Sequence, residues 1–390
     1  MRDSLHSYGV TPETEQASGK PRARYIMIGG FLGAGKTTAV ARLARHLSDQ
    51  GLKVGLITND QGSDLVDTTM LRSRGFATAE IAGGCFCCRF QSLVEAAEHL
   101  TEATAPDVFI AEPVGSCTDL VATVTYPLRR MYGDRFDMAP LSVLIDPIRA
   151  MRVLGLDAGR PFSSKVTYIY LKQLEEADLI VINKLDTLEA DQQSQLRAAL
   201  EARFPGKRIM AVSAREGSGL DAWFEAMATE LPGQQPAMEV DYTLYAEGEA
   251  LLGWLNATLD LSSEDAWDGN AWIAELAKQL QHRLEAESGE IAHLKMTLSP
   301  EQGLGEIAVI NLIRNDFVPE LSQSLPTEIK QAQLIVNLRA EVAPEQLEAA
   351  LKASMEAMQA SQPQITGQLS HLEHFRPGKP VPTHRLTSCP

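Results

Sequence analysis

Three cysteines, Cys85, Cys87 and Cys88, lie within four positions and follow a Gly-Gly pair. Thiolates bind Zn²⁺ and other soft ions, and binding displaces the thiol protons. The glycine pair supplies the backbone freedom that a turn around one ion needs. A soft-metal site that still needs a fourth ligand is therefore the favoured interpretation. Two alternatives stay open: small buried hydrophobic side chains, or a redox thiol pair.

A phosphate-binding loop is the second feature that can do chemistry. The segment from Gly30 to Thr37, Gly-Phe-Leu-Gly-Ala-Gly-Lys-Thr, matches the P-loop pattern and lies between an apolar run and a helical pattern. Backbone N–H groups of such a loop surround phosphates, Lys36 adds a positive charge, and the Thr37 hydroxyl can ligate Mg²⁺. A glycine-rich turn without a ligand is the alternative, and it gives no folding reason for Lys36 and Thr37. The predicted phosphate contacts are Gly30, Gly33, Ala34, Gly35, Lys36, Thr37 and Thr38.

A base-reading motif follows a later predicted strand. The segment 183–186, Asn-Lys-Leu-Asp, looks like the guanine-reading motif of P-loop GTPases. The carboxylate of Asp186 can accept from N1–H and the 2-amino group of guanine, and adenine offers no such donor pair. GTP is therefore favoured over ATP, although the segment alone also fits a plain strand-to-helix turn. The predicted base-side contacts are Asn183, Lys184, Asp186, Ser213 and Ala214.

Acidic residues after two predicted strands are expected to complete a Mg²⁺ shell with Thr37. Glu112 ends a strand where a switch loop senses the γ-phosphate, so it can orient Mg²⁺ or the attacking water. Asp60 and Asp67 follow another strand and offer further carboxylates. Each acid also fits a helix cap or a solvated turn residue. With Lys36 and Glu112 as the catalytic pair, the expected activity is slow GTP hydrolysis that serves as a switch.

Alternating strands and helices must position these loops. Apolar runs predict buried strands at 25–28, 53–58, 108–111, 141–145, 179–182 and 209–212. Helical spacing of apolar residues falls at 38–50, 93–100, 192–202 and 220–231. This order predicts an α/β fold: a P-loop NTPase whose mostly parallel sheet is covered by helices on both faces.

A second, smaller unit is expected after the turn signals between Pro232 and Pro236. Apolar and polar residues alternate over 255–261 and 292–298, the period of a sheet with one wet face, and helical stripes accompany them. The sequence predicts an α+β sandwich. The expected division is a polar lead over 1–24, a GTPase domain over 25–232, a linker over 233–241, the α+β domain over 242–360 and a tail or peripheral strand over 361–390. The tail carries three histidines, interpreted as surface residues with a metal relay as the alternative: His371, His374 and His384.

Composition excludes several kinds of partner. A net charge of −16 disfavours binding to nucleic acid or to an anionic membrane. A long apolar run and a signal-peptide core are both absent, so a cytoplasmic location is expected. Five cysteines in such a chain do not make a disulfide framework, and Cys117 and Cys389 stand apart from the cluster.

The order of these motifs resembles the CobW-like GTPases, metal-trafficking P-loop proteins, over about residues 25–232. The resemblance implies that GTP and Mg²⁺ assemble the Cys-x-Cys-Cys site and that hydrolysis to GDP releases the ion, Zn²⁺ or else Co²⁺, to a client. A client metalloenzyme or corrinoid-related protein and a nucleotide-dependent homodimer are the expected partners. Asp60, Gln61 and Ser63 depart from the first switch of the family, and its long His-rich stretch is missing.

Two hypotheses from different classes follow. The first is a GTP-gated metallochaperone or metal insertase. The second is a GTP-dependent regulatory protein that assembles or reactivates a partner enzyme, with structural or redox cysteines. A small-molecule phosphotransferase fits less well, because the sequence shows no recognisable acceptor pocket.

Overall fold

The computed structural model describes residues 22–59, 68, 71, 74–81, 83–234, 236–301 and 306–390. Its first sheet has eight strands, ordered β3-β2-β4-β1-β6-β7-β8 with β5 beside β1, and every pair is parallel. The strands are β1 (Ala23–Gly30), β2 (Val54–Asn59), β3 (Ala77–Ile81), β4 (Val108–Glu112), β5 (Phe136–Met138), β6 (Ser142–Ile145), β7 (Leu179–Ile182) and β8 (Arg208–Ala211).

Helices cover both faces of this sheet. They are α1 (Lys36–Asp49), α2 (Phe90–Thr104), α3 (Tyr126–Tyr132), α4 (Pro147–Val153), α5 (Ser164–Glu176), α6 (Ala190–Arg203) and α7 (Leu220–Thr229). Side chains of a strand alternate between the faces, so Tyr25 and Met27 pack with α2 and α5, whereas Ile26 and Ile28 pack with α1 and α7. Both faces are therefore buried, and the predicted α/β fold class is confirmed.

A six-stranded antiparallel sheet follows, in the order β12-β11-β10-β13-β9-β14. Its strands are β9 (Gly253–Trp267), β10 (Glu290–Pro300), β11 (Ala308–Leu312), β12 (Glu320–Gln323), β13 (Ile329–Glu341) and β14 (Thr366–Phe375). Helices α9 (Gly269–Ala286) and α10 (Pro344–Ser361) pack on one face. The edge strand β14 lies in the segment expected to be a tail or a peripheral strand.

The other face of this sheet is buried, whereas the sequence predicts that it is open to water. Its polar residues Asn256, Thr258, Lys295 and Thr297 are all buried. The prediction of a wet face is wrong for these residues because the face turns toward the first unit, where Lys295 reaches the phosphate loop. Alternation along a strand identifies the two faces but not what covers the polar one.

The two units are joined by a helix and by hydrogen bonds from a buried arginine. Helix α8 (Tyr242–Leu251) packs on α5, and its Tyr245 belongs to the same apolar cluster as Tyr25 of β1. Arg149 of α4 donates hydrogen bonds to the backbone oxygens of Ala292 and Ile313 in the second unit. Among the helices of the described ranges, none has the length and apolar character needed to cross a bilayer.

Candidate nucleotide and metal site

The phosphate loop connects β1 to α1 and adopts a curled conformation. Gly35 has a φ of 87°, and a Cβ there would lie 2.5 Å from the side-chain nitrogen of Asn183, so a side chain is excluded on two grounds. Lys36 Nζ donates to the Gly30 backbone oxygen at 2.9 Å. The lysine charge is thereby held over the loop, where the phosphates of a nucleotide bind in such loops.

Three buried polar side chains meet at the start of α1. Thr37 Oγ1 donates to Glu112 Oε1 at 2.9 Å, and Lys295 Nζ lies 3.2 Å from the same Thr37 oxygen. A hydroxyl beside a carboxylate is the oxygen donor set that Mg²⁺ prefers. The other predicted Mg²⁺ ligands, Asp60 and Asp67, lie outside the described residues.

Lys295 is a residue that sequence analysis missed. It lies on β10, 258 residues from Thr37, and is 9% exposed. Only its place in an alternating strand stood out in the sequence, and alternation does not reveal a distant partner. In the folded chain it supplies a second cation, after Lys36, to the phosphate end of the site.

The base-side loops are hydrogen-bonded to the phosphate loop. Asn183 donates from its amide to the Ala34 oxygen at 2.9 Å and accepts from the Ala214 N–H at 3.0 Å. Asp186 Oδ1 accepts from Ser213 Oγ at 2.5 Å, which orients the carboxylate, and Asp186 is exposed. The predicted phosphate and base segments thus come together at one end of the sheet.

Lys184 is held in a buried ion cluster. Its Nζ donates to the Gly33 oxygen at 2.6 Å and to Asp146 Oδ2 at 3.1 Å. Burial opposes ionisation of Asp146, but Lys184, Arg149 and Arg314 outweigh it and lower the pKa of this carboxyl. The Asp146 carboxylate therefore stays ionised and connects Lys184, which bonds to the phosphate loop, with Arg314 of the second unit.

A cavity of about 860 Å³ lies between the two units over this loop. That volume is typical of small-molecule and cofactor sites. Its lining includes the predicted residues Gly33, Gly35, Lys36, Thr37, Thr38, Glu112, Asn183, Lys184 and Ala214. From the second unit it includes Trp254, His293, Lys295, Asn311, Asn337 and Arg339. The predicted contacts Gly30, Ala34, Asp186 and Ser213 are not part of the lining.

The cysteine cluster lies on a turn between β3 and α2. Cys85 Sγ lies 2.9 Å from Cys87 Sγ and 3.2 Å from Cys88 Sγ, and Cys87 and Cys88 sulfurs are 3.7 Å apart. Asn59, at the end of β2, holds this turn by donating to the Gly84 oxygen at 2.6 Å and accepting from the Phe86 N–H at 3.0 Å. Three thiols at these separations can coordinate one soft ion.

Cys117, which stands apart in the sequence, is brought to the cluster by the fold. It is fully buried in the loop after β4, and its thiol interacts with that of Cys85. This interaction is the largest of the causes that lower the pKa of Cys85, whereas contact with Cys85 raises the pKa of Cys88 to about 11. Cys389 lies elsewhere, beside Arg129 and Pro236.

The end of the chain passes over the cysteines. Val381 N–H donates to Cys88 Sγ at 3.3 Å, and Thr383 N–H donates to the Cys87 oxygen at 2.9 Å. His384 packs edge-on against Phe90, with ring centroids 5.0 Å apart. The other two histidines of the segment lie on β14, where His374 Nε2 is 3.0 Å from a carboxylate oxygen of Glu348.

The loop that carries Cys117 rests on a buried carboxyl group, and this predicts a pH dependence of stability. Glu176 accepts from Thr118 Oγ1 and the Val121 N–H, and burial raises its pKa from 4.5 to about 8. Its contribution to stability is fully present below the unfolded pKa of 4.5 and is lost as the pH rises through about 8. The free energy of unfolding should fall by up to about 1.4 kcal/mol per pH unit in that window.

Glu176→Gln should flatten this fall, because the amide cannot ionise. Urea unfolding at pH 5, 6, 7 and 8 measures it, with Glu175→Gln, an exposed neighbour on the same helix, as the control. Equal slopes for wild type and Glu176→Gln would contradict the assignment.

Comparisons with known proteins agree with these motifs. Residues 24–211 match the family model for the CobW/HypB/UreG nucleotide-binding domain. The zinc chaperone YeiR of Escherichia coli K12 is 30% identical over 177 residues, 45% of this chain and 50% of that protein. The zinc chaperone CobW of a Sinorhizobium species is 29% identical, over 49% of this chain and 58% of that protein. The chain thus spans about half the length of these curated relatives.

A third relative and one solved structure extend the comparison. The urease accessory protein UreG of Metallosphaera sedula is 27% identical, over 52% of this chain and 92% of that protein. The crystal structure of the Zn(II)-bound YjiA GTPase of E. coli covers 87% of this chain and 99% of its own at 13% identity and a TM-score of 0.37. At that score the structural likeness supports no functional conclusion.

Proposed function

Because residues 24–211 match the model for the nucleotide-binding domain of the CobW/HypB/UreG family, we propose that the protein is a slow GTPase that binds a soft divalent ion and delivers it to a client protein. Zn²⁺ is the first candidate for the cargo and Co²⁺ the second. The observation that carries the proposal is the cluster of Cys85, Cys87 and Cys88. In the part of the chain that the structure describes, these three thiols form a group of potential metal ligands, and their sulfurs all lie within 4.8 Å of one another.

The residues of the first unit have separate tasks in this proposal. Lys36 and the N–H groups of the phosphate loop would bind the phosphates, and Thr37 and Glu112 would hold Mg²⁺, which would supply positive charge beside the phosphates. Orientation of the attacking water is the alternative role of Glu112. Asp60 and Asp67 stay predicted Mg²⁺ ligands.

In this proposal the three thiols bind the transported ion. Sulfur ligands select soft ions over Mg²⁺, which prefers oxygen, so one protein can hold both ions at different places. The client, a metalloenzyme or a corrinoid-related protein, receives the ion after hydrolysis. A nucleotide-dependent homodimer is part of the same proposal.

The direct experiment replaces Cys85, Cys87 and Cys88 with serine together and captures client proteins with the wild type and the variant in the presence of GTP. A delivery role predicts that the variant binds no ion and leaves the client without metal. A client that is still bound and activated by the variant would favour the regulatory alternative, in which the cysteines are structural or redox groups.

Guanine selection by Asp186 predicts a change of nucleotide preference. Asp186→Asn replaces an acceptor by an amide donor, which suits xanthine, because xanthine carries a carbonyl oxygen where guanine carries its 2-amino group. We expect affinity for GTP to fall by about 100-fold or more, and that for xanthosine triphosphate to rise. Competition against a fluorescent nucleotide measures both.

Asp191→Asn is the matched control, since Asp191 is an exposed acid in the first turn of α6. It should leave the preference unchanged. An Asp186→Asn variant that still prefers GTP would remove Asp186 from the base site.

A further inference from the structure

We propose that Cys117 is the fourth thiolate ligand of the cargo ion, and that the loop from Glu112 to Cys117 couples this ligand to the bound nucleotide. The inference rests on the proposed function, because it completes the metal site named there. It assigns a ligand from a different part of the chain, 29 positions beyond Cys88.

The first support is the position of the thiol. Cys117 is 1% exposed and belongs to the same buried cluster as Cys85 and Cys87, and its thiol interacts with that of Cys85, whose sulfur lies within 3.2 Å of both other sulfurs. Structural Zn²⁺ sites are almost always four-coordinate. The three thiols of the turn therefore leave one position to fill, and Cys117 is the thiol that adjoins them from another loop.

The geometry around Cys85 shows that the site has to close before four sulfurs can share one ion. Cys117 lies outside the set of three thiols whose sulfurs are all within 4.8 Å of one another. It therefore reaches the cluster through Cys85 and must approach the other two sulfurs to share one ion with them. A site that closes by a small movement of one loop is the kind of site that a switch can open and shut.

A buried carboxyl group is the competing ligand. Glu249 of α8 is buried and lies close enough to Cys85 to interact with its charge. A carboxylate oxygen is a harder donor than sulfur and suits Zn²⁺ less selectively than thiolate does. The two ligands differ in the number of sulfurs around the ion, so a count of sulfurs distinguishes them.

The second support is the route from the ligand to the nucleotide. Cys117 follows Glu112, the acid hydrogen-bonded to Thr37, by five positions. Between them, Gly115 packs on the phosphate loop so tightly that a Cβ would lie 2.9 Å from the Leu32 backbone nitrogen. A shift of Glu112 toward Mg²⁺ is therefore transmitted along a short, closely packed segment.

The loop also has a firm attachment on its far side. The amide of Gln173, on α5, donates to the Gly115 oxygen at 2.9 Å and to the Cys117 oxygen at 2.8 Å. The Thr118 N–H donates to the Tyr245 hydroxyl at 3.3 Å. These bonds attach the Cys117 backbone to α5 and α8, so the movement that closes the site has to be small.

The test loads the full chain with Zn²⁺ in the presence of Mg²⁺ and a non-hydrolysable GTP analogue, and X-ray absorption counts the sulfurs. Four sulfurs are expected for wild type and three for Cys117→Ser. Competition with a chromophoric chelator should show metal affinity at least about tenfold weaker for Cys117→Ser. Replacing a residue that only hydrogen-bonds to a metal ligand already weakens metal binding by about that factor. Cys389→Ser, at the remote thiol, is the control and should match wild type.

The outcomes separate this inference from the proposed function. Wild type with three sulfurs and one oxygen, or a Cys117→Ser variant with wild-type affinity, overturns the role of Cys117 and leaves the three-cysteine site standing. Wild type that binds no Zn²⁺ overturns the proposed function itself. The sulfur count of wild type needs no variant, so the inference stays testable where Cys117→Ser fails to fold.

Discussion

Lys36→Ala is expected to lower the rate of GTP hydrolysis by about 10²- to 10³-fold, the usual effect of removing one preorganised group that stabilises transition-state charge. Lys36 is 7% exposed, and its ammonium group is held over the phosphate loop by the Gly30 oxygen. In the proposed mechanism it neutralises charge on the β- and γ-phosphates. Phosphate release at saturating and limiting GTP measures the loss.

Lys53→Ala is the matched control, because Lys53 is an exposed lysine just before the neighbouring strand β2. It should hydrolyse GTP at the wild-type rate. If Lys36→Ala kept that rate too, the phosphate loop would not be the catalytic site.

Cys85→Ser is expected to weaken Zn²⁺ binding by at least about 100-fold. This factor is the upper end of the loss in metal affinity when a residue that only hydrogen-bonds to a ligand is replaced, and Cys85 is itself a proposed ligand. Cys85 is the central thiol of the cluster, since its sulfur lies within 3.2 Å of those of Cys87 and Cys88 and it also interacts with the Cys117 thiol. A serine hydroxyl does not ionise readily and is a poor ligand for a soft ion. Competition with a chromophoric chelator, with GTP analogue and Mg²⁺ present, gives the affinity.

Two checks accompany this variant. Cys389→Ser should bind Zn²⁺ as wild type does, and Cys85→Ser should keep its affinity for GTP in the absence of metal. Wild-type metal affinity in Cys85→Ser would place the cargo site elsewhere.

Much of the first unit is predictable because its strands are buried on both faces. Continuous apolar runs such as 108–111 and 179–182 fall within two residues of the observed strands, and the phosphate loop is specified by local residues alone. Strand β3 (Ala77–Ile81) is not predicted, because it is short, largely half-buried and contains Thr78 and Glu80. Burial of a parallel strand at the sheet edge leaves a weaker pattern than burial at its centre.

Helix α5 shows the limit of local patterns in another way. No element is predicted over 164–176, where the run Val166 to Tyr170 is rich in β-branched and aromatic residues that favour strands. The helix forms because Val166, Ile169 and Tyr170 lie on one face and are buried against the sheet. Tertiary packing outweighs intrinsic propensity here.

The candidate site is predictable only where its residues are close in sequence. The Cys-x-Cys-Cys turn and the phosphate loop are local motifs, so their residues stand out. Cys117 and Lys295 reach the site from a separate loop and a separate sheet. Their roles depend on which surfaces meet, and spacing along the chain does not encode that.

The most direct test of the account is the Zn²⁺ affinity of wild type with and without a non-hydrolysable GTP analogue and Mg²⁺. If the nucleotide assembles the thiol site, the analogue should tighten Zn²⁺ binding by about 5- to 150-fold, the usual range of coupling between two sites, and Zn²⁺ should tighten binding of the analogue by the same factor. A Zn²⁺ affinity that is the same in both conditions would contradict a GTP-gated cargo site.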